Sequence, residues 1–234
     1  MFPDVVILAG GLGKRLKSVT GGSQKVLAQI NGKPFISILI DYIASQGGRR
    51  FILCTGHDAS GVEGALKDSH PNLTIEFSPE EEPLGTGGAI KKAMDLVRTD
   101  VSLAMNGDCF CVIDYNRMID SHMKSQAKAT IAVTQLDDAR DYGTIETDAQ
   151  GRIVAFKEKQ PILQAAFINT GTYCLDRKVF SLVDTPGKFS IEYNFFPHLV
   201  GRGFHSFEVE NKFIDIGTPE RYAWAQEHLK KLHG

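Results

Sequence analysis

Three glycines and four cations crowd one short loop: Leu8-Ala9-Gly10-Gly11-Leu12-Gly13-Lys14-Arg15-Leu16, then Lys17 and, past Gly21-Gly22-Ser23-Gln24, Lys25. Gly10, Gly11 and Gly13 carry no Cβ, so their N–H groups can turn toward a ligand and let it approach the backbone. Lys14, Arg15, Lys17 and Lys25 place positive charge on the same loop. This is chemistry for a polyphosphate. Two familiar phosphate motifs do not describe it. A P-loop needs Gly five residues before its Gly-Lys pair, where this chain has Leu8, and Ser or Thr after the Lys, where it has Arg15. A dinucleotide fingerprint would set its third glycine at Leu16.

Two aspartates come next. Asp108, in Asn106-Gly107-Asp108, follows the apolar run Val101 to Met105, and Asp215 sits in Phe213-Ile214-Asp215-Ile216-Gly217-Thr218-Pro219. A pair of carboxylates facing a polyphosphate loop suits a hard divalent cation such as Mg²⁺, which takes oxygen ligands and keeps several waters. Either Asp alone reads more readily as a helix cap; beside the glycine loop the metal reading prevails. Pro83-Leu84-Gly85-Thr86-Gly87-Gly88 is a second glycine-dense turn. It reads equally as a helix start capped by Thr86 or as flat backbone against which a base or ribose can lie.

The elements that must position these groups alternate. Strands are expected at Val5 to Leu8, Arg50 to Thr55, Leu73 to Ser78 and Val101 to Met105; helices at Phe35 to Gln46, His57 to Lys67 and Gly85 to Val97. Gly32-Lys33-Pro34 reads as a turn into the first helix. The second half changes character. After a helix closing at Ile119 to Lys124 come strands at Ala129 to Gln135, Gly143 to Thr147, Ile153 to Lys157 and Phe167 to Cys174. The middle two join at the hairpin signal Asp148 to Gly151. Ile191 to Val200 and Glu220 to Leu232 read as helices, the latter with Thr218 as cap and Pro219 first. The pattern predicts an α/β, Rossmann-like, mostly parallel mixed sheet with helices on both faces and an antiparallel extension forming one pocket wall. Residues 1–234 read as a single domain, 1–112 mainly for nucleotide and 113–234 mainly for sugar and the second metal ligand.

Composition excludes several classes. With 42% hydrophobic and 23% charged residues the chain is an ordinary globular one, and a net charge of −2 gives no basic face for nucleic acid. No segment has transmembrane length, and Met1-Phe2-Pro3-Asp4 lacks the basic start of a secretory leader. The four cysteines show neither disulfide nor zinc spacing, and Cys109-x-Cys111 reads as alternating residues at a strand end. The expectation is a cytoplasmic protein with no nucleic-acid or membrane partner; monomer and homo-oligomer are both compatible.

Taken together, Leu8-Ala-Gly-Gly-Leu-Gly-x-Arg-Leu, Lys25, Gly32-Lys-Pro34, Pro83-Leu-Gly-Thr-Gly-Gly, Asn106-Gly-Asp108, Glu158-Lys159, Asn169-Thr-Gly-Thr-Tyr173 and Phe213-Ile-Asp-Ile-Gly-Thr-Pro-Glu220 resemble the sugar-1-phosphate nucleotidyltransferases, in order and over nearly the whole chain. Within that family the pattern is most similar to the D-glycero-D-manno-heptose 1-phosphate guanylyltransferases. The resemblance implies that an NTP and a sugar 1-phosphate give an NDP-sugar and pyrophosphate, by in-line attack of the sugar phosphate on the α-phosphorus. It implies that Gly11, Gly13, Lys14 and Arg15 hold the outer phosphates, that Lys25 stabilises the α-phosphate, and that Asp108 and Asp215 carry Mg²⁺. Leu8, Ala9, Gly10, Gly85 and Thr86 would meet base and ribose. Asn106, Gly143, Glu158, Lys159 and Asn169 would meet the sugar phosphate, with Glu192 either a further sugar ligand or a first-turn helix acid.

One departure stands out. Gln24 precedes Lys25 where the family usually has Pro, after Gly21-Gly22-Ser23, which predicts a segment mobile without nucleotide. For the base, a carboxylate at Glu80 or Glu81 can accept from guanine's N1–H and amine but faces uracil's carbonyls badly, so GTP is favoured; a solvated acidic turn is the bland alternative. The competing substrates are UTP with N-acetylmuramate 1-phosphate, GTP with mannose 1-phosphate, or another NTP with glucose 1-phosphate. A nucleotide-sugar-binding regulatory protein without turnover is the competing class, against which the retained Arg15, Lys25, Asp108 and Asp215 speak.

Overall fold

The computed structural model describes residues 1–11, 16, 24–56, 59–158, 165–210 and 212–232. The chain opens with strand β1 (Asp4–Leu8), and Lys25–Leu27 forms a 3₁₀ turn. Strands β2 (Gln29–Ile30) and β3 (Lys33–Pro34) then make a small hairpin. Its two loop residues, Asn31 (φ 51°) and Gly32 (φ 82°), are left-handed as an Asn-Gly hairpin turn requires, so the expected simple turn is a hairpin. Helix α1 (Phe35–Ser45) follows, then β4 (Arg50–Thr55), α2 (Ser60–Leu66), β5 (Thr74–Pro79), α3 (Gly85–Ala93), β6 (Val101–Asn106) and β7 (Cys109–Cys111). Tighter i to i+3 turns carry the chain from α3 to Val97, the helix end expected from sequence.

The second half contributes α4 (Tyr115–Lys124), β8 (Ala129–Leu136), β9 (Thr144–Thr147), β10 (Ile153–Lys157) and β11 (Ala166–Asp176). After them come α5 (Ile191–Asn194), α6 (Phe196–Leu199), β12 (Phe204–Glu208), β13 (Phe213–Asp215) and α7 (Pro219–Leu232). The single helix expected over Ile191 to Val200 is therefore two short ones. Pro197 has no N–H for the carbonyl of Tyr193 and its ring would strike it, so the chain leaves helical geometry at Phe195 (φ −122°, ψ −58°) and restarts.

Strands β6, β1, β4 and β5 are parallel and adjacent; β11 joins β6 antiparallel and passes the sheet on to β9, β10 and β8, with β12 parallel to β8. This is the mixed, helix-flanked α/β sheet with an antiparallel extension that the sequence implied. Alternation along β1 splits the core in two. Val5 and Ile7 face a cluster with Phe35, Leu39, Val62, Tyr115 and Leu229, while Val6 faces one with Ile90, Tyr173, Phe195 and Phe196. Helices α1, α2, α4 and α7 thus cover one face and α3, α5 and α6 the other. Among the described residues no helix is long and apolar enough to cross a membrane. All four cysteines are free, and Cys109 and Cys111 are strand residues as expected.

A buried histidine offers a test of the packing. His122 on α4 is 1% exposed, its Nδ1 is 2.9 Å from Thr130 Oγ1, and burial pushes its pKa down to about 4. Between that value and 6.5 the unfolded chain binds a proton that the fold excludes, so stability falls as pH drops through this window. We expect a loss of roughly 2–4 kcal/mol by pH 4, read from urea midpoints. The slope should be shallower in His122→Gln, and parallel slopes would contradict the assignment.

Candidate active site

The chain runs from β1 to β4 and β5 on one side, then returns to β6 on the other side of β1. That reversal opens a crevice at the carboxyl ends of β1 and β6, where α/β sheets take ligands. The two strand ends are fastened there: Gly107 N donates to Leu8 O (2.9 Å), and a Cβ at residue 107 would come 2.5 Å from that oxygen. Gly10 packs against Gly56 so closely that a Cβ would lie 2.6 Å from its nitrogen. Gly11 is exposed, with open space where a Cβ would be. The first glycine is therefore required by packing as well as bordering the cavity, whereas the second meets only the cavity side. Ala9 is fully buried with its N–H given to Cys54 O (2.9 Å), so it does not border the cavity as expected. Gly13, Lys14 and Arg15 lie outside the described residues, as do Lys159 and the Gly21-Gly22-Ser23 segment.

Two cavities meet in the crevice. The smaller, about 330 Å³, is bordered by Leu8, Gly10, Gly11, Val26, Glu80 and Ala89; the larger, about 580 Å³, by Gly143, Glu158, Asn169, Glu192 and Asp215. Lys25, Gly85, Thr86, Asn106 and Asp108 border both. At the seam, Lys25 Nζ is 2.5 Å from Asp108 Oδ2, and the lysine side chain is only 13% exposed.

Asp215 reaches the same seam from the far end of the chain. Strand β13 pairs antiparallel with β7, setting Asp215 opposite Cys109, and Ile216 N donates to Asp108 O (3.0 Å). A point beside Gly217, where a Cβ would stand, is 2.6 Å from Asp215 Oδ1 and 3.5 Å from Lys25 Nζ. The ammonium thus lies close to both carboxylates. Asp215 also accepts from Gly217 N (2.8 Å), from Arg221 Nη1 at 3.0 and 3.2 Å, and from the Tyr142 hydroxyl. Arg221 grips Asp141 with its other nitrogen (2.5 Å) and lies over the Tyr142 ring, 5.1 Å from its centroid. Burial, then the Asp215 charge, pushes the Tyr142 hydroxyl up, so it stays a donor. Burial, followed by the charges of Asp108 and Asp215, likewise holds the Cys109 thiol protonated and makes it no nucleophile.

The donor chemistry at the seam fits a hard cation: one carboxylate at the end of β13 and one in the turn just before its partner β7, with no thiolate competing. Among the described residues no group of three or more His, Cys, Asp and Glu could hold a metal. Mg²⁺ habitually completes such a pair of carboxylates with waters and phosphate oxygens.

The second glycine turn has an origin not read from sequence. Gly87 N and Gly88 N both donate to Phe189 O (3.0 and 3.3 Å), and Phe189 N donates to Leu84 O (2.9 Å). A Cβ at residue 87 would run into the Phe189 ring, and one at Gly85, where φ is +74°, would lie 2.6 Å from Phe189 O. The start of α3 is thus capped by the carbonyl of a segment a hundred residues away, and Thr86 caps nothing on its own helix. Its hydroxyl instead joins Glu192 (2.7 Å). Glu80 accepts from Leu84 N (2.8 Å) at the cavity edge, whereas Glu81 and Glu82 are exposed and border neither cavity.

On the far wall the Glu158 carboxylate lies where a side chain at Gly143 would be. Asn169 donates to Tyr173 (3.1 Å) and accepts from Gly171 N (2.8 Å), its side chain held by its own strand. The crevice therefore unites Asn106, Gly143, Glu158, Asn169 and Glu192. It adds Arg140, Asp141, Tyr142, Ser190 and Arg221, which sequence reasoning missed. A signal for Arg221 existed: it stands six residues past Asp215, within the first turn of the helix that Thr218 begins.

Comparison with known proteins follows the same lines. The nucleotidyl transferase family model matches residues 4–231. The chain is 36% identical over 228 residues to the D-glycero-alpha-D-manno-heptose 1-phosphate guanylyltransferase of Aneurinibacillus thermoaerophilus, covering 97% of this chain and 98% of that one. It is 33% identical to the mannose-1-phosphate guanylyltransferase of Mycobacterium tuberculosis, covering 94% of this chain and 62% of that longer one. The crystal structure of HddC from Yersinia pseudotuberculosis complexed with GMP-PN superposes with a TM-score of 0.84 at 38% identity, covering 97% of this chain and all of that one.

The grip on Asp215 can be tested by stability. Arg221→Met keeps the stem but leaves a nearly buried carboxylate short of its cation, and should cost roughly 2 kcal/mol in urea unfolding. Tyr142→Phe should cost about 1 kcal/mol. Losses under half of these in both variants would remove Arg221 and Tyr142 as supports of Asp215.

Proposed function

Since the chain belongs to the nucleotidyl transferase family, we propose that it moves a guanylyl group from GTP to a sugar 1-phosphate, foremost D-glycero-α-D-manno-heptose 1-phosphate, releasing pyrophosphate. The observation that carries the reading is the meeting of two cavities at Lys25 and Asp108, with Asp215 brought alongside. A transfer between two phosphates needs such a seam: one room for the donor nucleotide, one for the acceptor, and charge control where they touch.

In this reading the smaller cavity takes the guanosine, with Leu8, Gly10, Gly85 and Thr86 along its walls and Glu80 at its edge. Gly11, Gly13, Lys14 and Arg15 hold the outer phosphates. The larger cavity takes the sugar phosphate among Asn106, Gly143, Glu158, Lys159, Asn169 and Glu192. Residues 1–112 and 113–234 then act as halves of one catalytic domain. A sugar-phosphate oxygen attacks the α-phosphorus; the new P–O bond forms as the bond to the β-phosphate's bridging oxygen breaks, and pyrophosphate departs with the electron pair. Lys25 neutralises charge on the α-phosphate as it develops, and Asp108 holds the ammonium in place. Asp108 and Asp215 would hold Mg²⁺, which supplies charge neutralisation on the phosphates when bound. GTP as substrate and four free cysteines both agree with a cytoplasmic location.

Guanine recognition falls to Glu80. Its Oε2 already accepts from Leu84 N, and each carboxylate oxygen keeps a second lone pair for the base's N1–H or amine. The similarity to a mannose-1-phosphate guanylyltransferase favours mannose 1-phosphate as the second reading, because the two sugars share the manno ring.

Pyrophosphate release over a panel of NTPs and sugar 1-phosphates tests this. We expect the highest kcat/KM with GTP and the heptose 1-phosphate, at least ~tenfold above that for mannose 1-phosphate, and none with EDTA present. Mannose 1-phosphate as the better acceptor would replace the sugar, and no release with any pair would remove the activity. Glu80→Gln should lower the GTP:UTP ratio by ~10²-fold or more; an unchanged ratio rules Glu80 out as the base reader.

A further inference from the structure

The Thr86 hydroxyl stands where both cavities meet, and its one proton and one of its two lone pairs are already engaged. Its oxygen accepts from Ile191 N (3.0 Å), and its single proton goes to Glu192 Oε2 (2.7 Å). Ser190 Oγ donates to that same oxygen (2.6 Å) and is itself held by Tyr193 N (3.2 Å). Two hydroxyls, from segments a hundred residues apart, therefore fix one oxygen of Glu192. Among the described residues no donor reaches the other oxygen, Oε1, and Glu192 borders the larger cavity.

We propose that Thr86 is a positioning residue for Glu192, acting on the sugar phosphate through that carboxylate and not on the nucleotide through its own hydroxyl. This rests on the guanylyl transfer proposed above and adds to it a determinant of sugar recognition. A hydroxyl that has spent its proton on a carboxylate has none for a ribose or a base. Glu192, with Oε2 tied twice, presents Oε1 as a fixed acceptor, and sugar hydroxyls are donors suited to it. Backbone bonds from Gly87 N, Gly88 N and Phe189 N already fasten α3 to this segment, so the Thr86 hydroxyl, which also takes Ile191 N, is not its only tie. The side-chain relay is then free to set where a carboxylate points. It also explains why a residue on the nucleotide side bears on the acceptor, since Thr86 borders both cavities.

The test is steady-state kinetics with GTP and D-glycero-α-D-manno-heptose 1-phosphate. Thr86→Val should raise KM for the sugar phosphate by about tenfold and leave KM for GTP within about twofold, while Thr86→Ser stays near wild type. In a Glu192→Ala background the valine should add less than about a further twofold, because its effect passes through the missing carboxylate. Thr86→Ala carries the same expectation should valine prevent folding. An increase in the GTP KM matching that of the sugar phosphate overturns the proposal, as does a full valine effect on top of Glu192→Ala. Either result, with wild-type turnover intact, removes the relay alone; a wild type inactive on every sugar 1-phosphate removes guanylyl transfer and the relay together.

Discussion

Everything at the seam depends on a two-stranded pairing outside the large sheet. β7 and β13 join Phe213 to Cys111, Ile214 to Phe110 and Asp215 to Cys109. Phe110 and Ile214 are 1% and 3% exposed and anchor one face in the core. The opposite face presents Cys109 and Asp215 to the larger cavity. Because strand side chains alternate, a slip of one residue would turn the carboxylate into the core and an isoleucine toward the cavity. The buried pair is thus what forces residue 215 to stand beside residue 108, and no ligand is required to bring them together.

The two halves are joined a second time at α3. Its first turn leaves amide groups that need acceptors, and Phe189 O supplies one for two of them. Close approach requires residues without a Cβ at 85 and 87, so glycines that look made for a ligand are first of all made for a protein contact. The cavities share a wall here because the segment that caps the nucleotide-side helix is also the one that carries Ser190 and Glu192. Cation control at the other wall follows the same pattern, with Arg221 linking Asp215 to Asp141 on the loop before β9.

Much of this was written locally. Val5 to Leu8 is an unbroken apolar run and Val101 to Met105 is interrupted only by the small Ser102, which marks central parallel strands and places Asp108 just past a strand end. Pairings between distant short segments were not legible. Three residues of β13 carry too little periodicity to announce a partner at β7, and β12 lies parallel to β8 across some seventy residues of chain. Tyr142 and Arg221 were missed for a related reason: each looks like a solvated polar residue until the fold sets Asp215 between them. Thr86 was legible as a site residue but not in its role, since Glu192 is its partner only in space. Pro197 was visible, and its cost to the helix through Phe195 could have been read from it.

The most direct measurement of the central claim is Mn²⁺ binding followed by electron paramagnetic resonance in the presence of GTP, comparing wild type with Asp108→Asn and Asp215→Asn. If the β7–β13 pairing builds one shared cation site, each substitution weakens Mn²⁺ binding by about tenfold or more, and the double variant is little worse than either single one. Wild-type Mn²⁺ affinity in Asp215→Asn would contradict the account, because the carboxylate brought from the far end of the chain would then have no part in the site.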